Sequence, residues 1–155
     1  MSKVPPIPPD QLGFTPYIIV RGAAEALAFY AKAFGAEETM RLDDPKGRVS
    51  HAEMRLGKVT FMLAEEHPEH GIVGPATLGN TSVTLHLYVE DVDAVAARAM
   101  AAGAELTRPI ADQFFGDRVA RLRDPFGHHW AFASRIEEVS PEEMKRRAQA
   151  LFGGG

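Results

Sequence analysis

The sequence predicts an α+β fold made of two consecutive β-α-β-β-β units. In each half of the chain a short apolar run precedes an amphipathic helical segment, and three further strand-like runs follow it. When Val20 is aligned with Val89, the Ala-Glu pair at 36–37 also aligns with the pair at 104–105 after one residue is dropped. A repeat of this length indicates two copies of one structural module within a single compact domain.

Module one is predicted over residues 14–65. Its first strand is FTPYIIV at 14–20, and Gly35 ends the helix that follows. The apolar residues of this helix recur at helical spacing, at Ala23, Ala26, Leu27, Tyr30 and Phe34. Three strand-like runs complete the module, EETMRL, GRVSHAEMRLG and KVTFMLAEE, separated by turn residues at 43–47 and 57–58.

Module two is predicted over residues 81–135, after a Gly- and Pro-bearing connector at 66–80 that lacks periodicity. The strand SVTLHLYV precedes a helix that ends at Gly103. A short run, LTRPI, contains a proline of the kind found in edge strands, and the runs DRVARLR and HHWAFAS form a closing hairpin. The two modules therefore form one domain over residues 14–135.

The two ends of the chain are expected to lie outside the modules. Residues 1–13 contain four prolines and are predicted to form an extended arm on the surface. In the region 136–155, Ser140 as N-cap, Pro141 at the first helical position and Glu143 at the third form a capping box. The helix that follows is expected to pack outside the repeats, and the final glycines, residues 153–155, are expected to fray.

Composition excludes several classes of site. The chain has no cysteine, so disulfides, thiolate metal sites and cysteine nucleophiles are excluded. With a net charge of −4 and no cluster of Lys and Arg, nucleic acid is not expected as a partner. No run approaches the roughly 18 apolar residues that span a bilayer. We expect a soluble cytoplasmic protein without membrane partners.

Three segments carry a resemblance to a known family: AEALAFYAKAFGAE in the first module, and YVEDVDAVAARAMAAGAE and DPFGHHW in the second. Over residues 14–135 the chain resembles the vicinal oxygen chelate superfamily, which includes glyoxalase I, bleomycin- and fosfomycin-resistance proteins, extradiol dioxygenases and methylmalonyl-CoA epimerase. TPYIIV, LHLYVEDVDA and EEVSPEEM are most similar to its PhnB-like glyoxalase branch. The resemblance implies a cupped, barrel-like mixed sheet with helices outside and a cavity on the concave face.

The resemblance also implies four metal-ligand positions, one on the first and one on the last strand of each module. Counted from the aligned motifs, these positions hold Thr15, Met62, Thr84 and Ala131. None supplies a carboxylate or an imidazole, which are the ligands such metals need. Metal-dependent glyoxalase I activity is therefore not expected, and we predict no metal and no cofactor.

Strand pairing identifies candidate catalytic residues beside the missing ligands. A two-residue Gly57-Lys58 turn places Glu53 opposite Met62, and a three-residue loop at 125–127 places Arg121 opposite Ala131. One hypothesis is that Glu53 and Arg121 meet or bracket a ligand, with Glu53 as acid or base and Arg121 holding an anion. The alternative is a structural salt bridge that fills the same space.

The remaining candidates are assigned to ligand binding. They are Tyr17, His51, Met62, His86, Phe115 and His129. A displaced metal set formed by His51, Glu53, His86 and His129 is the less favoured alternative. Phe115 is expected at the mouth of the cavity, with packing at a dimer interface as the equally weighted alternative.

Three functional hypotheses follow. The first is a binding protein that holds a small, partly hydrophobic molecule in the concave cavity. The second is a lyase or isomerase acting on a carbonyl compound, and the third is a catalytically idle structural relative. We expect a homodimer. One arrangement open to it has module one of one chain cup module two of the other, which would make the contact between Glu53 and Arg121 intermolecular.

Overall fold

The computed structural model describes residues 4–11 and 13–153 and confirms the predicted α+β fold of two β-α-β-β-β modules. Module one consists of β1 (Tyr17–Val20), α1 (Ala23–Phe34), β2 (Glu37–Asp43), β3 (Val49–Leu56) and β4 (Val59–Glu65). The connector contains a 3₁₀ turn (Pro68–His70) and a short helix, α2 (Pro75–Leu78). Module two consists of β5 (Thr84–Tyr88), α3 (Val92–Ala102), β6 (Glu105–Asp112), β7 (Asp117–Arg123) and β8 (His129–Arg135). The helix α4 (Pro141–Phe152) follows.

The two modules form two separate four-stranded sheets with the same topology. Their strand orders are β1-β4-β3-β2 and β5-β8-β7-β6. In each sheet the first strand pairs in parallel with the last, while the other neighbours are antiparallel. Within one chain the sheets are cupped but not closed into a barrel.

The helical faces of both sheets share one hydrophobic core. The helix α1 packs between the modules, because the ring of Tyr30 lies 5.5 Å from Phe61 in module one and 5.6 Å from Trp130 in module two. Phe34 continues this contact, with its ring 4.9 Å from that of Phe132. Trp130 and Phe132 of module two lie in this core and are 4% and 1% exposed. The opposite faces of the two sheets are the concave ones, and the short helix α2 contacts β1 at the edge of module one.

The Asp124-Pro125-Phe126-Gly127 turn joins the modules through a buried carboxylate. Asp124 is 4% exposed and accepts hydrogen bonds from the hydroxyl of Tyr30 at 2.5 Å and from Trp130 Nε1 at 2.9 Å. Its other oxygen accepts from the backbone N–H groups of Phe126 and His128. Burial, followed by the adjacent Asp124 charge, raises the pKa of Tyr30 well above its usual value. The turn is therefore a structural feature of the fold.

Several boundaries differ from the predicted ones. The strand β1 begins at Tyr17 and not at Phe14, because Pro16 has no N–H to donate, although its carbonyl accepts from Met62 N at 2.8 Å. The strand β6 is longer than predicted and accommodates Pro109 at the sheet edge, with register shifts on either side of Arg108. The connector, predicted without regular structure, contains a 3₁₀ turn and a short helix.

The residues that flank the two modules form an exposed segment and a capped helix. Residues 4–11 of the arm are exposed, and Ser140 caps α4 by accepting from Glu143 N at 3.2 Å. The reciprocal half of the capping box is absent, because the Glu143 carboxylate accepts from Arg146 and Arg147 instead. Gly154 and Gly155 lie outside the described residues. No helix in the described part of the chain is long and apolar enough to cross a membrane.

Candidate functional site

The concave face of module one carries a row of side chains in register across its four strands. Glu53 pairs with Met62, as predicted, and Met62 pairs with Tyr17 on β1. On the other side of Glu53 the row ends at Met40 on the edge strand β2. Partners in register project from the same face of a sheet, so these residues form one continuous surface.

The corresponding row of module two has a different chemistry. Arg121 pairs with Ala131, as predicted, and Ala131 pairs with His86 on β5. Arg121 also pairs with Arg108 on the edge strand β6. The two modules therefore place Glu53 and Arg121 at equivalent positions, one in each sheet.

The four positions that the resemblance implies for metal ligands do not fit a metal in this chain. Met62 and Ala131 offer no carboxylate or imidazole, and neither do Thr15 and Thr84. The register places Tyr17 and His86, two residues further along the first strands, beside Met62 and Ala131. Even when Tyr17 and His86 are added to the four positions, the six side chains include one imidazole and no carboxylate. Residues 4–11 and 13–153 contain no group of three or more His, Asp or Glu side chains that could hold a metal ion.

The concave face of module one contains a hydrogen-bonded chain of three side chains. The hydroxyl of Tyr17 lies 3.2 Å from His51 Nδ1, and His51 Nε2 lies 3.2 Å from Glu53 Oε1. The side chains of His51 and Glu53 are 24% and 27% exposed, whereas Tyr17 is 51% exposed. Tyr17 and His51, which were assigned to ligand binding, thus contact Glu53, which was assigned to catalysis. Tyr17 is the most exposed of the three.

Module two has a cationic cavity at the equivalent place. Its volume is about 390 Å³, and it is lined by Thr84, Thr107, Arg108, Arg121, Leu122, His129 and Trp130. Among the residues that the structure describes, neither Arg108 nor Arg121 forms a salt bridge. The next arginines along β7 are both paired, Arg118 with Asp93 and Asp112 and Arg123 with Glu105. Two adjacent guanidinium groups without a carboxylate partner make this cavity suited to an anion.

Comparison with known proteins identifies the family. The model of the glyoxalase/bleomycin resistance protein/dioxygenase superfamily matches residues 11–132. The chain belongs to this superfamily. An uncharacterised protein of Mycobacterium bovis is 41% identical over 134 residues, which are 84% of this chain and 88% of that protein.

Solved structures agree with the assignment to the superfamily. The X-ray structure of a gene product of Arabidopsis thaliana has a TM-score of 0.64 and 27% identity, and the match covers 79% of this chain and 98% of that chain. The PhnB protein of Bacillus cereus has a TM-score of 0.62 and 20% identity, with 78% of this chain and 98% of that chain covered. At that identity the similarity supports the fold alone.

Within this superfamily fold, Glu53 and Arg121 do not meet inside one chain. They lie on separate sheets, and the polar partner of the Glu53 carboxylate is His51. The proposed displaced metal set is likewise divided, because His51 and Glu53 belong to module one whereas His86 and His129 belong to module two. His129 lines the cationic cavity, and His86 lies beside Ala131 with its ring 5.2 Å from that of Tyr88.

Phe115 lies away from the cationic cavity. It sits in the turn between β6 and β7, with its ring 5.3 Å from that of Phe114. Phe114 in turn lies 6.0 Å from Phe152 of α4, and its carbonyl accepts from Arg147 Nη1 at 3.1 Å. In one chain the aromatic pair therefore lies near the C-terminal helix and not at the cavity.

Sequence reasoning missed two features of the site. Arg108 lies between two register shifts, so counting from the hairpin could not place it opposite Arg121. The second is a hydrogen bond from the hydroxyl of Tyr88 to the 5% exposed carboxylate of Asp117 at 2.5 Å, which raises the pKa of Tyr88. The alternation of β5 placed Tyr88 on the same face as His86, but β8 separates it from Asp117 on β7.

Proposed function

We propose that the protein binds a small, partly apolar organic anion on the concave face of module two. The observation that carries the proposal is the pair Arg108 and Arg121, which lie side by side in a cavity of about 390 Å³ without a salt-bridge partner among the described residues. Like charges directly opposite each other in a sheet destabilise it. A bound carboxylate would relieve that repulsion, so the pair supports an anionic ligand.

The other residues of the cavity suit an organic anion. The hydroxyls of Thr84 and Thr107 and the imidazole of His129 add polar groups. Apolar atoms make up the rest of the exposed lining, to which Leu122 and Trp130 add little because they are only 1% and 4% exposed. The guanidinium group can hold a carboxylate through two parallel hydrogen bonds. These features favour a carboxylate attached to a small apolar or aromatic group.

A second candidate function is a lyase or isomerase that acts on a carbonyl compound, with Glu53 as acid or base and Arg121 holding the anion. The hydrogen bond between Glu53 and His51 favours it, because it connects the carboxylate to a second proton-transfer group. This function requires Glu53 and Arg121 in one site. A homodimer in which module one of one chain cups module two of the other would bring them together.

Benzoate is a suitable probe for the anion site. We expect isothermal titration calorimetry to show that Arg121→Met weakens benzoate binding at least about tenfold, or about 1.4 kcal/mol. Arg123→Met is the matched control, because Arg123 lies on the same strand but is already paired with Glu105. Its effect should stay within about twofold. Equal affinity of wild type and Arg121→Met for benzoate, with altered stability, would show that the arginine is only structural.

The dimer arrangement can be tested by crosslinking, since the natural chain contains no cysteine. We expect the double variant Glu53→Cys/Arg121→Cys to give covalent dimers with a short bismaleimide. The control Glu53→Cys/Lys58→Cys moves the second thiol to the exposed β3–β4 turn of module one. Dimers in both variants, or in neither, would contradict an intermolecular site between Glu53 and Arg121.

A further inference from the structure

The concave face of module one contains three hydrogen-bonded side chains along which a proton can be transferred. None of the three lines the cationic cavity of module two. Tyr17, His51 and Glu53 are joined end to end by two hydrogen bonds of 3.2 Å. The rings of Tyr17 and His51 also meet edge to face, with their centroids 5.5 Å apart. The side chains of His51 and Glu53 are about three-quarters buried, and Tyr17 is half exposed.

The hydrogen-bond roles follow from the chemistry of the end group. A carboxylate only accepts, so His51 Nε2 carries the hydrogen in its bond to Glu53. In a neutral imidazole Nδ1 is then an acceptor, and the Tyr17 hydroxyl donates to it. His51 is thus oriented as a base towards Tyr17, while Glu53 fixes its tautomer and stabilises the imidazolium that forms when it takes the proton. Activated nucleophiles share this order of hydroxyl, base and orienting carboxylate.

We propose that Tyr17, His51 and Glu53 form a second functional site, in which Tyr17 is an activated hydroxyl that attacks an electrophilic carbonyl compound such as an activated ester. Tyr17 is the reacting group, His51 is its general base and Glu53 is a positioning residue. The proposal goes beyond the anion-binding function and does not depend on it, because none of the three residues lines the cationic cavity.

The other tyrosines provide internal contrasts. Tyr88 is 58% exposed, close to the 51% of Tyr17, but its hydroxyl donates to the Asp117 carboxylate, and that hydrogen bond raises its pKa. A phenol held in its protonated form is a poor nucleophile. Tyr30 is fully buried. Exposure alone therefore predicts equal reactivity for Tyr17 and Tyr88, whereas the proposal predicts that Tyr17 reacts faster.

The step can be written in full with p-nitrophenyl acetate as the probe. The oxygen of Tyr17 attacks the acetyl carbonyl as its proton moves to His51 Nδ1. The bond from the acetyl carbon to the p-nitrophenoxy oxygen breaks, and p-nitrophenolate leaves with the electron pair. The products are O-acetyl-Tyr17 and imidazolium paired with Glu53, and His51 then loses its proton to water. No oxidant, reductant or metal takes part.

The experiment treats the full-length protein with p-nitrophenyl acetate and maps the acetylated residues by peptide mass spectrometry. We expect Tyr17 to be acetylated at least about tenfold faster than Tyr88, a modest part of what a general base contributes. His51→Gln should remove most of this advantage, and Glu53→Gln should remove part of it. Acetylation of Lys58, an exposed amine that none of these groups contacts, is the internal standard and should stay constant.

Addition of free imidazole distinguishes a chemical role of His51 from a structural one. Imidazole also forms N-acetylimidazole with the ester, which acetylates exposed tyrosines, so the readout is the ratio of acetylation at Tyr17 to that at Tyr88. In His51→Ala imidazole should raise this ratio towards the wild-type value. Equal rates at Tyr17 and Tyr88 in the wild type, or a rate at Tyr17 that does not respond to His51→Gln, would overturn the proposal. Benzoate binding to the same preparations reports on the anion cavity separately, so a failure of either proposal is recognised independently of the other.

Discussion

The concave faces of the two modules differ in chemistry although their strands pair in the same way. In module one the row across the sheet contains Glu53, which is hydrogen-bonded to His51 and through it to Tyr17. In module two the equivalent row contains Arg121 and Arg108, which face a cavity. The difference shows that the repeat fixes where side chains project, whereas the residue at each position determines what the surface can bind.

In the core the two modules are not independent, because aromatic residues of one pack against those of the other. The first prediction concerns Trp130, which contacts Tyr30 and Phe34 of module one and donates to Asp124. We expect Trp130→Ala to lower the free energy of unfolding by about 3–5 kcal/mol, because it opens a cavity and removes a hydrogen bond to a buried carboxylate. Urea denaturation followed by circular dichroism measures this change.

The exposed Phe152 provides the control for that substitution. Phe152 is 78% exposed, so Phe152→Ala should change stability by less than about 0.5 kcal/mol. The shape of the transition is equally informative. A single transition in Trp130→Ala is expected from a shared core, whereas two separate transitions would mean that each module has a core of its own.

A smaller effect is expected when only the hydroxyl that joins the modules is removed. Tyr30→Phe keeps the ring but leaves Asp124 without one of its donors, so we expect a loss of about 1.5–3 kcal/mol. Tyr17→Phe is the matched control. Its hydroxyl is half exposed and should contribute less than about 1 kcal/mol. Equal losses in the two variants would contradict a special role for the buried contact.

The same contact predicts a dependence of stability on high pH. The folded-state pKa of Tyr30 is raised above the ordinary value of 10.0, so its contribution is complete below pH 10.0 and is lost as the pH rises beyond that value. Wild-type stability should therefore fall above pH 10.0 more steeply than that of Tyr30→Phe. Parallel stability curves for the two proteins in this range would show that Tyr30 does not titrate differently in the folded state.

Local sequence signals were sufficient to predict the fold and the position of part of the candidate site. The repeat and the two turns fixed the hairpin registers, so Glu53 and Arg121 could be placed opposite Met62 and Ala131. These features depend on residues close together in the sequence, for which turn length and alternation determine geometry.

Features that depend on distant segments were not predicted. The pairing of Arg108 with Arg121 depends on irregularities in β6, and the contact of Tyr88 with Asp117 spans the intervening strand β8. The hydrogen bond between Tyr17 and His51 joins β1 to β3 across β4. Alternation determines the face from which a side chain projects, but rotamers and bulges decide which neighbour it meets.

The starts of the two main helices provide a further comparison of the modules. The helix α1 is capped from a distance by Glu65, which accepts from Gly22 N at 2.9 Å and Ala23 N at 2.7 Å. The helix α3 is capped locally by Asp91, which accepts from Ala94 N at 3.0 Å. We expect Asp91→Ala and Glu65→Ala each to cost about 1 kcal/mol in urea denaturation, since each removes an acceptor from free N–H groups. A loss in only one variant would show that the two kinds of cap are not equivalent.

The smallest global effect is expected at α4, which lies outside both modules. Arg147 holds this helix through Glu137, Glu143 and the carbonyl of Phe114. The hydrogen bonds from Arg147 lower the pKa of Glu137, and those from Arg146 and Arg147 lower the pKa of Glu143 to about 2. The attachment through Glu137 is present above the ordinary pKa of 4.5 and is lost as the pH falls below that value, and the contribution of Glu143 is lost towards pH 2.

Hydrogen exchange measures whether α4 loses order when its contacts with the rest of the chain are weakened. As the pH is lowered from 4.5 towards 2, the protection of amides in 142–152 should decrease before that of the core strands, after correction for intrinsic exchange rates. Arg147→Met should produce the same loss at neutral pH. Arg146→Met is the control, because Arg146 bonds only to Glu143 within α4 itself and does not connect the helix to the modules. Equal loss of protection in both variants would mean that charge within the helix, and not its attachment to Glu137 and Phe114, keeps α4 ordered.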